Sequence, residues 1–314
     1  MPQHDIIVIG ASLGGVGALK ALIHELPGDL PATICIVIHM APTGDRLLHS
    51  ILSRAGGLLV SEAIDGEPIR PGHVYLARPD HHLLVEHDRI VLGRGPRENH
   101  SRPAVDVLFR SAATTYGPRV IGVVLTGRLD DGSAGLWAVK RAGGIAIVQD
   151  PDDAEVPSMP ANAKKAVDVD HCVPLRDLAS LLTRLVASPT PVVATPGVDL
   201  VGVPVLGLTF TCPDCRGPLS QVQAAGETIV RFRCHVGHAY SVMSLLAAQV
   251  EAREELLWTV VRSLEDESVL TECALKLELP PRDHEVMRKQ ADANKVLALH
   301  IRDQLILMPG SRER

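Results

Sequence analysis

From Ile6 to about Val186 the chain alternates short apolar runs with stretches of helical periodicity. Apolar runs of this length bounded by turn residues suit strands covered on both faces, and helical spacing between them predicts βαβ crossovers. The run "IIVI" at Ile6 reads as a buried strand, and Leu13, Val16, Leu19, Leu22, Ile23 and Leu26 then repeat at helical spacing. "GDLPA" breaks that pattern before a second strand, "TICIVI", Thr33 to Ile38. Over residues 58 to 92 the pattern shortens to "HVYLA", "HLLVE" and "RIVLG", which predicts an antiparallel excursion or hairpin. A helix "VDVLFRSAATTYG", a strand "VIGVVLTG", a glycine-stopped helix "SAGLWAVKRAGG" and a strand "IAIVQ" follow. A last helix after Pro174 carries Leu175, Leu178, Leu181, Leu182 and Leu185 on one face. The fold class predicted for residues 1–187 is therefore α/β, a doubly wound and mainly parallel sheet.

Between Ser188 and Pro204 the composition turns to Pro, Val, Thr and Gly with almost no charge, as in an extended linker. Residues 205–240 then read as a small cysteine-bearing module, and 241–314 as a helical hairpin broken by "LPP" at Leu279 to Pro281. The first of these helices has an apolar stripe of Leu245, Leu246, Val250, Leu256, Leu257, Val260, Val261 and Leu264. Such a stripe packs on the partner helix of the hairpin, with homodimerisation the less expected use.

A length of 314 residues and an apolar fraction of 46% give enough mass for a true core. The formal charge of −6 and the lack of any basic run argue against a nucleic-acid partner. No apolar stretch has the length of a membrane span, so no membrane insertion and a cytoplasmic location are expected. Cys35, Cys172 and Cys273 stand alone, whereas Cys212, Cys215, Cys234 and His238 give C-x2-C and C-x3-H across a spacer of zinc-ribbon length. Three thiolates and an imidazole suit a tetrahedral Zn²⁺ that closes a fold rather than one that catalyses, and His235 is an alternative ligand. No cofactor is expected for catalysis. The intervening "LSQVQAAGETIVRFR" predicts two strands about a turn.

"GASLG", Gly10 to Gly14, fits the G-x-S-x-G pattern in which a strand-to-helix turn exposes a serine at the sheet edge. A dinucleotide fingerprint would need glycine in place of Ser12 and an acidic residue ending the second strand, where this chain has His39. Parallel strands bring their C-terminal ends to one edge, so Ser12 and His39 should lie close, with the imidazole placed to take a hydroxyl proton. "LTGRLDDG" puts Asp130 and Asp131 just past another such strand, either one able to orient the imidazole. In "RENHSRP", His100 and Arg102 read as surface or substrate-side residues.

Taken together and in order, "IGASLGG", "IHMAP", "RPAVDVLF", "VVLTGRLDDGSAG" and "SMPANA" resemble the catalytic domain of the CheB family of chemotaxis protein-glutamate methylesterases, over about residues 5 to 187. The resemblance implies Ser12 as nucleophile, His39 as base, Asp131 rather than Asp130 as the third member, and the Arg128 amide at the oxyanion. It implies demethylation of glutamate γ-methyl esters, with glutamine deamidation as a second activity, on a methylated chemoreceptor or related helical signalling protein. Leu13 replaces the family's usual threonine, and Arg128 and Leu129 its usual Met-Gly. If those changes abolished turnover, the chain would serve as a scaffold or sensor recruiting a partner through its C-terminal region. With Ser12 so near the start, the family's common receiver domain is expected to be absent and control to fall to the C-terminal unit.

Overall fold

The computed structural model describes residues 4–39, 47–188, 203–223, 229–276 and 281–307. Most of the expected linker at 188–204, the "MAP" of "IHMAP", and Leu279 and Pro280 of "LPP" lie outside the described residues. By contacts the chain forms two units, Met1–Leu245 and Leu246–Arg314.

In the first unit the elements run β1 Ile6–Ala11, α1 Gly15–Glu25, β2 Thr33–Ile38, α2 Leu47–Ser53, β3 Leu59–Glu62, β4 His73–Leu76, β5 His82–Glu86, β6 Arg89–Gly93 and α3 Val105–Tyr116. They continue through β7 Val120–Val124, α4 Ser133–Arg141, β8 Ile145–Gln149, α5 Ser158–Ala166, β9 His171–Val173 and α6 Leu175–Val186. Seven strands join in the order β3-β4-β2-β1-β7-β8-β9, every neighbouring pair parallel. The α/β reading thus holds, with one correction in its middle. "HVYL" is not part of an antiparallel excursion: as β4 it sits between β3 and β2 in the parallel sheet, with Val74, Tyr75 and Leu76 buried. Only β5 and β6 form the antiparallel hairpin.

Side-chain alternation divides the core into two layers. Ile7, Ile9 and Ala11 of β1 and Ile34, Ile36 and Ile38 of β2 join Leu19, Leu22, Leu178 and Leu182 of α1 and α6 on one face. Ile6, Val8, Cys35 and Val37 point to the other, where Val105, Leu108, Phe109 and Leu136 of α3 and α4 cover them. Burial on both faces is why these strands read as unbroken apolar runs.

β10 Val203–Thr211, β11 Pro218–Gln223, β12 Arg231–Cys234 and β13 Ala239–Ser241 form an antiparallel four-stranded sheet in that order. Two helices follow, α7 Val242–Ala274 and α8 Pro281–Leu307. In the second unit these helices run antiparallel: Val261, Ala298 and Leu305 are buried together, and the Ser268 hydroxyl lies 3.3 Å from the Ala291 carbonyl oxygen. Leu257 and Leu264 of the expected stripe pack there, whereas Leu246, Leu256 and Val260 are exposed. The stripe is wider than one helix of this thickness can cover. Among the described residues, no helix is long and apolar enough to cross a membrane.

Candidate active site

Ser12 follows the last residue of β1 and His39 the last residue of β2, and those strand ends, Ala11 and Ile38, are paired neighbours in the parallel ladder. The His39 amide extends the ladder by donating to the Ala11 carbonyl at 3.2 Å. Both functional groups therefore leave the sheet at its C-terminal edge, side by side. Ser12 is partly exposed and begins a tight turn closed by the Gly15 amide on the Ser12 carbonyl at 2.9 Å. Gly14, at φ 80°, makes that turn in a left-handed conformation that glycine adopts without strain, and α1 starts at once.

A second loop clamps the serine from the β7 side. The Ser12 amide donates to the Thr126 carbonyl at 3.0 Å, and the Thr126 hydroxyl reaches the Leu13 carbonyl at 3.1 Å. At Gly127 a Cβ would lie 2.5 Å from Met159 Sδ and 2.8 Å from Ser12 Cβ, so only glycine allows this approach. The "SMPANA" segment supplies the other wall, with the Met159 amide and the Ser158 hydroxyl both donating to the Gly127 carbonyl. Arg128 comes next and is exposed, as is Leu13 at 55%. Leu129 adopts φ 63°, a left-handed conformation unusual for leucine, with its carbonyl accepting a 2.8 Å bond from Asn162.

His39 Nε2 lies 2.7 Å from Asp131 Oδ2. Asp131 is 2% exposed, and the same oxygen accepts the Val105 amide at 2.7 Å. Its other oxygen accepts Asn99 Nδ2 at 2.9 Å and the Asp106 amide at 3.1 Å. Val105 and Asp106 open α3, whose preceding residue Ala104 has no side-chain cap. Asp131 fills that role from outside, and negative charge at a helix N-terminus is stabilised by about 0.3 to 2 kcal/mol. Burial by itself pushes the Asp131 carboxyl up, but His39, Val105 and Asn99 outweigh it and hold the group below its ordinary range. An ionised carboxylate facing Nε2 places the imidazole proton there, leaving the lone pair of the neutral ring on Nδ1.

Asp106 returns the favour to α4, accepting the Gly132 amide at 3.0 Å and the Gly135 amide at 2.6 Å. Burial, then the charge of Asp131, push it up to about 7. Asn99 bridges the two acids, its Nδ2 donating to Asp106 Oδ2 at 2.9 Å as well as to Asp131. Neither Asp106 nor Asn99 stands out in the sequence by motif or spacing. Asp130, the alternative third member, turns the other way and accepts the Ser241 hydroxyl at 2.7 Å. Arg102 is no free substrate-side cation, since its guanidinium binds Asp80 at 2.6 and 2.9 Å and the Gly95 carbonyl at 2.7 Å. His100 lies 3.5 Å from Asp214.

Cys212, Cys215, Cys234 and His238 bring their ligand atoms within 4.8 Å of one another. Cys215 and Cys234 sulfurs are 3.6 Å apart, and His238 Nδ1 is 3.7 and 3.5 Å from the Cys212 and Cys234 sulfurs. Tetrahedral zinc with Zn–S of about 2.3 Å and Zn–N of about 2.0 Å has ligand edges of roughly 3.5 to 3.8 Å. The donor set and its spacing fit that ion. His235 is exposed and outside the group, its ring packed against Gly217.

A parallel sheet carrying a serine elbow, a strand-end histidine and a buried aspartate at one edge defines a serine-hydrolase-like α/β domain. Residues 7–182 match the CheB methylesterase family model, more than half of the chain, and the protein belongs to that family. A relative from Leptospira interrogans is 41% identical over 184 residues, covering 58% of this chain and 95% of its own length. The protein-glutamate methylesterase/protein-glutamine glutaminase of Symbiobacterium thermophilum is 38% identical over 182 residues, 58% of this chain but 50% of that protein. The crystal structure of the Thermotoga maritima CheB methylesterase catalytic domain is similar with a TM-score of 0.56 and 36% identity, covering 58% of this chain and 98% of that one.

Proposed function

We propose that the protein is a serine hydrolase that removes the methyl group from glutamate γ-methyl esters, and deamidates glutamines, on a chemoreceptor or related helical signalling protein. The observation that carries this reading is the 2.7 Å His39–Asp131 bond at the sheet edge where Ser12 emerges. His39 Nδ1 takes the Ser12 proton as Oγ attacks the ester carbonyl, and the tetrahedral oxyanion meets the free amides at the start of α1 and the Arg128 amide. The imidazolium returns its proton to the departing methoxide, and methanol leaves. Water deprotonated by the same nitrogen then cleaves the acyl-enzyme to free glutamate and Ser12. Asp131 keeps the ring in the tautomer that both steps need.

The exposed flanks Leu13 and Arg128 suit a site that takes one side chain from the surface of a folded protein rather than engulfing a small molecule. Cys212, Cys215, Cys234 and His238 hold a structural Zn²⁺, which supplies cross-linking of the small sheet and, with all four positions filled by protein, no open site for chemistry. The lack of a long apolar helix among the described residues accords with action in the cytoplasm, and the exposed apolar positions of α7 with a second copy as partner. Mass spectrometry of a methylated receptor fragment tests the reading. Conversion of glutamyl methyl esters to glutamate should depend on Ser12, and equal conversion by Ser12→Ala would refute it.

A further inference from the structure

Downstream of the hydrolase fold, the Cys3His sheet and the start of α7 reach Asp131 through one bridging side chain, Asn99. Asn99 uses all of its amide: Nδ2 donates to Asp131 and Asp106, and Oδ1 accepts the Ser241 amide at 3.0 Å and the Ser244 hydroxyl at 2.8 Å. No other residue of this size offers two donors on one side and an acceptor on the other. An aspartate would turn a third carboxylate toward two existing ones, and a leucine would remove all four of these bonds from a buried place.

The loop holding Asn99 is a two-residue turn closed by the Ser101 amide on the Glu98 carbonyl at 2.9 Å and the Glu98 amide on the Ser101 carbonyl at 3.2 Å, bonds that leave the Asn99 amide to a partner outside the loop. Its central residues Asn99 and His100 both have left-handed φ, 49° and 61°, as such a turn requires. β13 supplies the support, as the Asn99 amide donates to the Ala239 carbonyl at 2.8 Å and the Ala239 amide to the Arg97 carbonyl at 3.2 Å. Ala239 directly follows His238, whose carbonyl closes the knuckle by accepting the Cys234 amide at 3.0 Å. At the same junction Gly237 packs on Pro96, where a Cβ would sit 2.9 Å from Pro96 Cγ. The Ser241 hydroxyl, meanwhile, holds Asp130, the chain neighbour of Asp131.

We infer that the Cys3His sheet is a positioning element of the active site: β13 and the start of α7 fix Asn99, and Asn99 fixes Asp131 against His39. Asn99, Ser241 and Ser244 touch neither substrate nor reacting atoms, so they are positioning residues. The inference rests on the hydrolase reading of Ser12, His39 and Asp131. It adds that the metal knuckle and the catalytic acid are mechanically linked, so that a partner loosening β13 would lower turnover without entering the substrate site.

The test uses the full chain with Ser241→Ala and Ser244→Ala combined, and Asn99→Ala beside it. The His39 Nε2 proton bound to Asp131 gives a proton NMR signal far downfield of the amides and needs no substrate. In the double variant, which keeps the Ser241 amide but removes the Ser244 hydroxyl from Asn99 and the Ser241 hydroxyl from Asp130, it should move or broaden while far-UV circular dichroism is kept, and kcat should fall about tenfold with KM changed less than about twofold, as for one supporting hydrogen bond lost. An unchanged signal and unchanged kcat would overturn the inference. Should the double variant not fold, Ser244→Ala alone, which removes one hydroxyl, is read by the same criteria. If the natural sequence shows the signal but no Ser12-dependent hydrolysis, the hydrolase reading fails separately, and the signal comparison still decides the link between Asn99 and Asp131.

Discussion

Replacing Asp131 with asparagine exchanges one acceptor oxygen for an NH2 that faces two donors. Oδ2 accepts His39 Nε2 and the Val105 amide, and Oδ1 accepts Asn99 and the Asp106 amide. Turned toward Asn99 and Asp106, the new NH2 leaves two N–H groups without an acceptor; turned toward His39 and Val105, it leaves the Val105 amide without one and opposes the proton on Nε2, so either way two bonds to a carboxylate are lost. Bonds to a charged acceptor contribute about 1.5 to 3 kcal/mol each, so two lost bonds cost about 3 to 6 kcal/mol. Relief of the repulsion that raises Asp106 offsets part of this, leaving a net loss of about 3 kcal/mol. If the NH2 faces His39, the ring must accept on Nε2 and carry its proton on Nδ1, where it blocks removal of the Ser12 proton. Rates then fall by about 10⁴, the scale of a triad with the wrong tautomer. Urea unfolding gives the first number and methyl ester hydrolysis the second. A variant within about tenfold of the natural rate would refute the role assigned to Asp131.

Gly127→Ala drives a methyl group into Met159 and Ser12, and should lower kcat about 100-fold by displacing the nucleophile, measured against an unchanged circular dichroism spectrum. Asp106, at about 7 in the folded protein, binds a proton that the unfolded chain has lost above about pH 4, so its contribution to stability declines as pH rises from about 4 to 7. Asp106→Asn should flatten that decline in urea titrations at pH 5 and 7.5, and an identical pH slope would contradict it. Cys234→Ser should abolish the zinc measured by elemental analysis of the natural chain and strip hydrogen-exchange protection from β11 and β12. Metal retained at the natural stoichiometry would rule out the ligand set.

Much of the catalytic half was legible in the sequence because its signals are local. Strands buried on both faces leave unbroken apolar runs, and Ser12 and His39 each follow such a run directly, so their meeting at one edge needs only the parallel rule. The choice between Asp130 and Asp131 was not local. Both follow β7, and what separates them is the start of α3 facing one and Ser241 facing the other, contacts 25 and 111 residues away in sequence. Asn99 was hidden for the same reason, its partners lying in three separate segments, at Asp106, at Asp131 and over 239–244. The loop around it drew notice only through His100 and Arg102, and Arg102 proves to be tied to Asp80. β4 was misassigned because four residues next to a hairpin carry the same period as a hairpin strand, and only its two parallel neighbours tell them apart.

The central claim is hydrolysis by Ser12 assisted by His39. Methanol release from a methylated chemoreceptor cytoplasmic fragment, followed for the natural chain and for Ser12→Ala, addresses it most directly. The natural chain should release methanol and the variant none above background. Equal release by both, or none by a folded and metal-loaded natural chain, would contradict it.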